Sequence, residues 1–217
     1  VKKVLHIDTN EEDPYTFWQA FFRIKTLHLF IMIFFSASYP YYIAVNFKSF
    51  GGLYIQNDKF ITVAGSLGAI FNAVGRLAWA PLFDLLGFKI MYFSLLVLEM
   101  GIAFTFWTIH QRQELYLVWI WASFFLLGCH KPLFMTIPAK LYGPKIGGII
   151  YSFLFGGYAV ATIFVWIIQK QVGMGNLTYK ILFYILGAMV VVSFLLNILF
   201  KEKIDESSNF TYFTQKK

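Results

Sequence analysis

Several polar side chains stand inside long apolar stretches of this sequence, where a charge is costly. A lysine, arginine or aspartate at the centre of a membrane costs at least about 2.5 kcal/mol, so it is retained where it faces a cavity or a partner. Cations in such a cavity can bind a small anion, and tyrosine hydroxyls can donate hydrogen bonds to it. The candidate substrate-binding residues are Asn72, Arg76, His130, Lys131, Tyr39 and Tyr151.

Each of these positions also has a structural explanation, which the sequence leaves open. Arg76 either meets an anion or extends towards the membrane surface, and Asn72, one helical turn earlier, would share its face. His130 and Lys131 either hold an anion or carry a proton, or pack against another helix. Glu99 is a candidate for a proton relay or a structural ion pair, and a pair with Arg76 or Lys131 is the favoured interpretation.

The elements that must position these residues are membrane helices. The sequence has 217 residues, 59% hydrophobic and 13% charged, with a mean hydropathy of +0.64, which is more apolar than ordinary soluble domains. Apolar stretches of about 20 residues match the hydrocarbon thickness of a bilayer, and without alternating polarity they predict helices rather than a barrel. The predicted spans are 27–46, 61–83, 90–109, 115–138, 147–168 and 179–200.

The chain therefore divides into residues 1–26 with an interfacial helix, a six-helix bundle at 27–200, and a polar tail at 201–217. The interfacial helix is predicted to begin with Asp13 as its N-cap and Pro14 at its first position.

Basic residues are distributed unevenly between the two sides of the predicted membrane. Twelve fall on one side: Lys2, Lys3, Arg23, Lys25, Arg76, Lys89, Lys140, Lys145, Lys201, Lys203, Lys216 and Lys217. Five fall on the other: Lys48, Lys59, Arg112, Lys170 and Lys180. This asymmetry predicts that both termini face the cytoplasm or its organellar equivalent. The plasma membrane and the mitochondrial inner membrane are both compatible with it.

Composition also excludes several classes of function. The net charge of +7 is not gathered into a basic patch, so nucleic-acid binding is not expected. Cys129 is the single cysteine, so neither an intrachain disulfide nor a cysteine-based zinc site can form. No metal cluster, phosphate loop or catalytic set is visible, which predicts no cofactor and no enzymatic activity.

Two motifs resemble one family of transporters. The first is "NAVGRLAWAPLFDLLGFK" at 72–89, and the second is "PAKLYGPKIGGIIYSFLFGGYA" at 138–159. Both are similar to conserved stretches in the C-terminal six-helix half of the major facilitator superfamily, in oxalate/formate antiporter-like or monocarboxylate-transporter-like members. The resemblance implies an all-α fold with a 3+3 inverted repeat, which is one half of a twelve-helix transporter.

The resemblance also implies a function and a gating motif. The gating residues would be Gly75, Asp84, Gly87 and Lys89, which would lock neighbouring helices on the cytoplasmic side; alternatively, the charges simply lie at helix ends. The expected function is alternating-access transport of a small organic anion such as a monocarboxylate. The expected partners are the lipid bilayer, protons, and a second six-helix bundle or a multi-subunit membrane complex. The alternative is a degenerate half-transporter that serves as a structural subunit of such a complex.

Overall fold

The computed structural model describes residues 15–201, all helices and short connections. The helices are α1 (Phe17–Phe21), α2 (Ile24–Gly51), α3 (Asp58–Leu86), α4 (Phe88–Ile109), α5 (Gln113–Tyr142), α6 (Pro144–Gly173) and α7 (Tyr179–Leu199). Six of them, α2 to α7, are long and apolar enough to cross a membrane. The prediction of an all-α, multi-pass membrane protein is therefore confirmed.

Helices α2 to α6 are longer than the predicted spans because polar residues outside the hydrocarbon continue them, whereas α7 ends one residue before its predicted span. At the start of α3, the side chain of Asn57 accepts a hydrogen bond from the Phe60 amide at 3.1 Å, and at the start of α7 Thr178 accepts one from Ile181 at 3.3 Å. Such caps satisfy amides that have no partner within the helix. The short α1 begins at Phe17, while the predicted cap residues Asp13 and Pro14 lie outside the described residues.

Two connections between helices consist of a single glycine. Gly87 separates α3 from α4 with φ of 79°, and Gly143 separates α5 from α6 with φ of 91°. A side chain at either position would strain the backbone, since positive φ favours glycine. These breaks reverse the chain within one residue and hold consecutive helices next to each other.

The helices pack around α2 and α5. Helix α2 packs on α6 and α7, whereas α5 packs on α3, α4 and α6, and α4 lies against α7. The α3–α5 contact is especially close, because a Cβ at Gly128 would run into the backbone of Asn72, and one at Gly75 into the carbonyl of Phe125. This close contact sets α3 and α5 side by side at mid-membrane, where the candidate residues lie.

Candidate functional site

A cleft of about 240 Å³ lies between α2, α3 and α5. Its lining residues are Tyr41 from α2, Ala69, Asn72 and Arg76 from α3, and Phe124, Leu127 and Lys131 from α5. Arg76 stands ten residues before the end of α3, which places it about 15 Å from that end at 1.5 Å per residue. The cleft is therefore a polar site near the middle of the bundle.

Arg76 is held in the cleft by a chain of hydrogen bonds. Its Nη2 donates to Oδ1 of Asn72 at 2.9 Å, and Nδ2 of Asn72 donates to the carbonyl oxygen of Phe124 at 3.0 Å. The same side chain of Asn72 thus fixes the guanidinium and ties α3 to α5. A guanidinium presents several donors in one plane, so those not used by Asn72 can meet a carboxylate. The structure places these two predicted residues together as expected.

Lys131 brings a second positive charge to the same cleft. Its ammonium lies 5.8 Å from the ring centroid of Phe155, and it is close enough to Arg76 for the two charges to interact. Among the side chains that the structure describes, no carboxylate lies within ion-pair distance of either cation. Two cations facing one cleft without a counter-ion form a site that an anion would fill.

Of the tyrosines on α2, Tyr41 lines the cleft and the candidate Tyr39 does not. Tyr39 is fully buried, and its hydroxyl lies 2.9 Å from Oγ of Ser123 on α5, so the structure places it in the helix interface instead. Residues two apart point to nearly opposite sides of a helix, so the sequence alone could not choose between them. Tyr151 is half-buried on α6 beside Phe155 and within electrostatic reach of Arg76.

His130 does not face the cleft. Its Nε2 lies 2.6 Å from Oε1 of Glu99 on α4, and both side chains are 0% exposed. The sequence-based expectation that Glu99 pairs with Arg76 or Lys131 is therefore wrong. Consecutive helical residues are about 100° apart, so turning Lys131 outward to the cleft turns His130 inward to α4. The role of each residue in binding or proton transfer stays a prediction.

Three of the four predicted gating residues have local structural roles in the fold. Lys89 donates from Nζ to the carbonyl oxygens of Ile198 at 2.9 Å and Phe200 at 3.2 Å, which caps the end of α7. Gly87 provides the positive φ of the corner, and Gly75 provides the close approach to α5. Asp84 lies in the last turn of α3, and its side chain lies outside the part of the chain described.

Comparison with known proteins found no matching protein-family model. The chain is similar to apicoplast pyruvate carrier 1 of Toxoplasma gondii, with 29% identity over 160 residues. The match covers 72% of this chain and 28% of the carrier. This chain therefore spans less than a third of the length of that relative.

The comparisons correct the predicted family. They support similarity to a protein named as a pyruvate carrier, and not the assignment to the major facilitator superfamily, which rested on two short motifs. The corner glycine and the helix-capping lysine of the first motif already have local explanations in the fold. The relative is a carrier by name rather than an enzyme, in agreement with the prediction of no enzymatic activity. The alternative of a structural subunit is not favoured.

Proposed function

We propose that the protein carries a small organic anion, of the size and charge of pyruvate, across a membrane. The observation that carries this proposal is the pair of cations, Arg76 and Lys131, which share one cleft without a described carboxylate partner. The free donors of the guanidinium would bind the carboxylate, because Asn72 already fixes its orientation from one edge. The similarity to a pyruvate carrier supports the same class of substrate.

The site also fits an anion with a second polar group. The Lys131 ammonium and the Tyr41 hydroxyl line the same cleft as Arg76, so they can donate to an oxo or hydroxyl oxygen next to the bound carboxylate. A simple fatty acid would leave these donors unmatched. We therefore expect 2-oxo and 2-hydroxy monocarboxylates to bind more tightly than acetate or propionate.

The face that carries the cleft is expected to meet protein and water rather than lipid. Arg76 is exposed and Lys131 is half-buried, although both lie well inside their helices. Facing lipid there would cost at least about 2.5 kcal/mol for each cation. Beside them α3 exposes Ile70, Phe71, Val74 and Leu77. A second helical unit that covers these side chains and encloses the cleft would leave the anion a water-lined path, and the relative is long enough to contain such a unit.

The packing order supports two related units of three helices, α2–α4 and α5–α7. Helix α2 packs on α6 and α7, as α5 packs on α3 and α4, and α4 meets α7. This is the arrangement that a two-fold axis between the units would produce. Repeats of this kind place the binding site of a transporter near the midplane, where the cleft lies.

Orientation and location follow from the charge asymmetry and the relative. We infer that both termini lie on the side with more basic residues, so that Lys89 and the corner at Gly87 face the cytoplasm or its equivalent. The relative is named for an organelle, which favours an organelle membrane.

The test is pyruvate exchange by the intact protein in lipid vesicles. Vesicles loaded with unlabelled pyruvate are diluted into labelled pyruvate at equal pH, and uptake is compared with that of protein-free vesicles. The expected result is transient accumulation of label, inhibited by excess lactate more than by excess propionate. Uptake no faster than in protein-free vesicles would contradict the proposal.

A further inference from the structure

The pair formed by Glu99 and His130 is a buried titratable group outside the proposed binding cleft. Both side chains are inaccessible, and Oε2 of Glu99 and Nδ1 of His130 have no hydrogen-bond partner in the described structure. Unpaired polar atoms in an apolar interior are costly, and such atoms in a native structure call for an explanation. A structural ion pair would be expected to satisfy these atoms as well.

A group that binds a proton needs an acceptor atom that is not already hydrogen-bonded, and Oε2 of Glu99 and Nδ1 of His130 are such atoms in the described structure. With a carboxylate and a neutral imidazole, Nε2 donates its hydrogen to Oε1, Nδ1 is a bare acceptor, and the pair carries one negative charge. One additional proton on Nδ1 makes the pair neutral overall. That proton can also be stored as a carboxylic acid, because the Nε2–Oε1 hydrogen bond of 2.6 Å allows transfer within the pair.

Two tyrosine rings lie between the cleft and this pair. The Tyr158 ring on α6 lies 6.4 Å from the His130 ring, and its buried hydroxyl also has no hydrogen-bond partner among residues 15–201. The same ring lies 5.5 Å from the ring of Tyr41, which lines the cleft. His130 is also adjacent in sequence to Lys131, so the cleft and the pair share one turn of α5.

The other titratable groups around the pair do not change charge near neutral pH. They are Tyr39 on α2, Tyr92 on α4, Cys129 on α5 and Tyr158 on α6, all within the electrostatic influence of Glu99. Phenols and thiols are neutral at pH 7. Helix α7 contributes the hydroxyl of Ser193, which hydrogen-bonds to Tyr92 at 2.6 Å, and α3 contributes Arg76 at the cleft. The Glu99–His130 pair is therefore the candidate proton-binding group in this part of the bundle.

We propose that the Glu99–His130 pair takes up one proton for each anion that binds in the cleft. This inference rests on the proposed carrier function. In the empty site the negative pair partly balances the cations Arg76 and Lys131. A bound monocarboxylate takes over that role, so a proton can neutralise the pair while the total charge of cleft and pair stays the same. The loaded site therefore has the same net charge as the empty site. The anion and the proton cross the membrane together.

The decisive variant is Glu99→Gln, which keeps the length of the side chain and a hydrogen-bonding group beside His130 but cannot ionise. Because it mimics the neutral pair, exchange of labelled pyruvate at equal pH should stay within about twofold of wild type. Initial uptake driven by an inward proton gradient should fall to the rate seen without a gradient. For wild type, an inward gradient of one pH unit should raise the limiting accumulation ratio of pyruvate about tenfold, since one proton accompanies each anion.

Glu114→Gln is the matched control, because Glu114 is an exposed carboxylate in the first turn of α5, away from the cleft. It should behave as wild type in both assays. Gradient-driven uptake by Glu99→Gln equal to that of wild type would overturn the proton inference while leaving the carrier function intact. Absence of exchange in the wild-type protein would instead refute the carrier function.

A second measurement decides the matter if Glu99→Gln does not assemble. A pH-sensitive dye trapped in wild-type vesicles reports proton entry when pyruvate is added outside, with protein-free vesicles recording the passive leak of the acid. One proton for each pyruvate supports the inference. Protein-dependent pyruvate entry without proton entry overturns it.

Discussion

Replacing Arg76 by glutamine removes the guanidinium that is proposed to hold the carboxylate of the substrate. Glutamine can still donate to Asn72, so the link between α3 and α5 through the Phe124 carbonyl should survive. The side chain lies on an exposed face of the bundle and fills no core position. The variant should therefore fold, and its effect should fall on binding.

The magnitude follows from the interaction that is lost. A hydrogen bond between charged groups contributes about 1.5–3 kcal/mol. We take about 2 kcal/mol, because the cleft is open and Lys131 remains as a second cation. At 1.4 kcal/mol per tenfold change, the Kd for pyruvate should rise about 30-fold. Arg76→Lys keeps the positive charge but loses the planar guanidinium, so its Kd should lie between those of wild type and Arg76→Gln.

The assay is equilibrium binding of labelled pyruvate to the purified protein. Arg112→Gln is the control, since Arg112 is an exposed cation in the turn before α5 and its loss leaves the cleft unchanged. Its Kd should match that of wild type. If Arg76→Gln binds pyruvate as tightly as wild type, the assignment of Arg76 to the carboxylate is refuted.

Three further substitutions, the first with a matched control, test the contacts that hold the helices in place. Gly128→Ala should destabilise the bundle by about 1–3 kcal/mol, because its Cβ would collide with the backbone of α3. The control Gly101→Ala on α4 meets open space and should not lower the melting temperature. Lys89→Met should lower stability by about 1 kcal/mol in chemical unfolding, because it removes the cation that caps the end of α7; an unchanged midpoint would contradict that role. Thr26→Val should loosen α1, since the Thr26 hydroxyl hydrogen-bonds to the carbonyl oxygen of Ala20 in α1 and to the hydroxyl of Tyr142 on α5. Limited proteolysis between α1 and α2 should then become faster.

The number and order of the membrane helices could be predicted from the sequence. Apolar length is a direct consequence of bilayer thickness, so each predicted span lies within its helix to within one residue. The single-residue corners at Gly87 and Gly143 were harder to predict, because a glycine shows that positive φ is allowed but does not show that it is used.

The candidate site was predicted in its residue types better than in its pairings. Asn72 and Arg76 lie on one face because they are four residues apart, and that spacing is visible in the sequence. The partner of Glu99 could not be predicted from the sequence, because it depends on how α4 and α5 are rotated against each other. The choice between Tyr39 and Tyr41 depended on the same rotation, which is set by packing across the whole bundle.

The most direct test of the central claim asks whether the cleft meets water. In a background in which Cys129 is replaced by alanine, Leu127→Cys places a thiol in the cleft and Val97→Cys places one on the exposed side of α4. A membrane-impermeant thiol reagent should label the first and not the second, and pyruvate should protect the first. If the cleft thiol reacts only with a lipid-soluble reagent and pyruvate has no effect, Arg76 and Lys131 do not line an anion pathway.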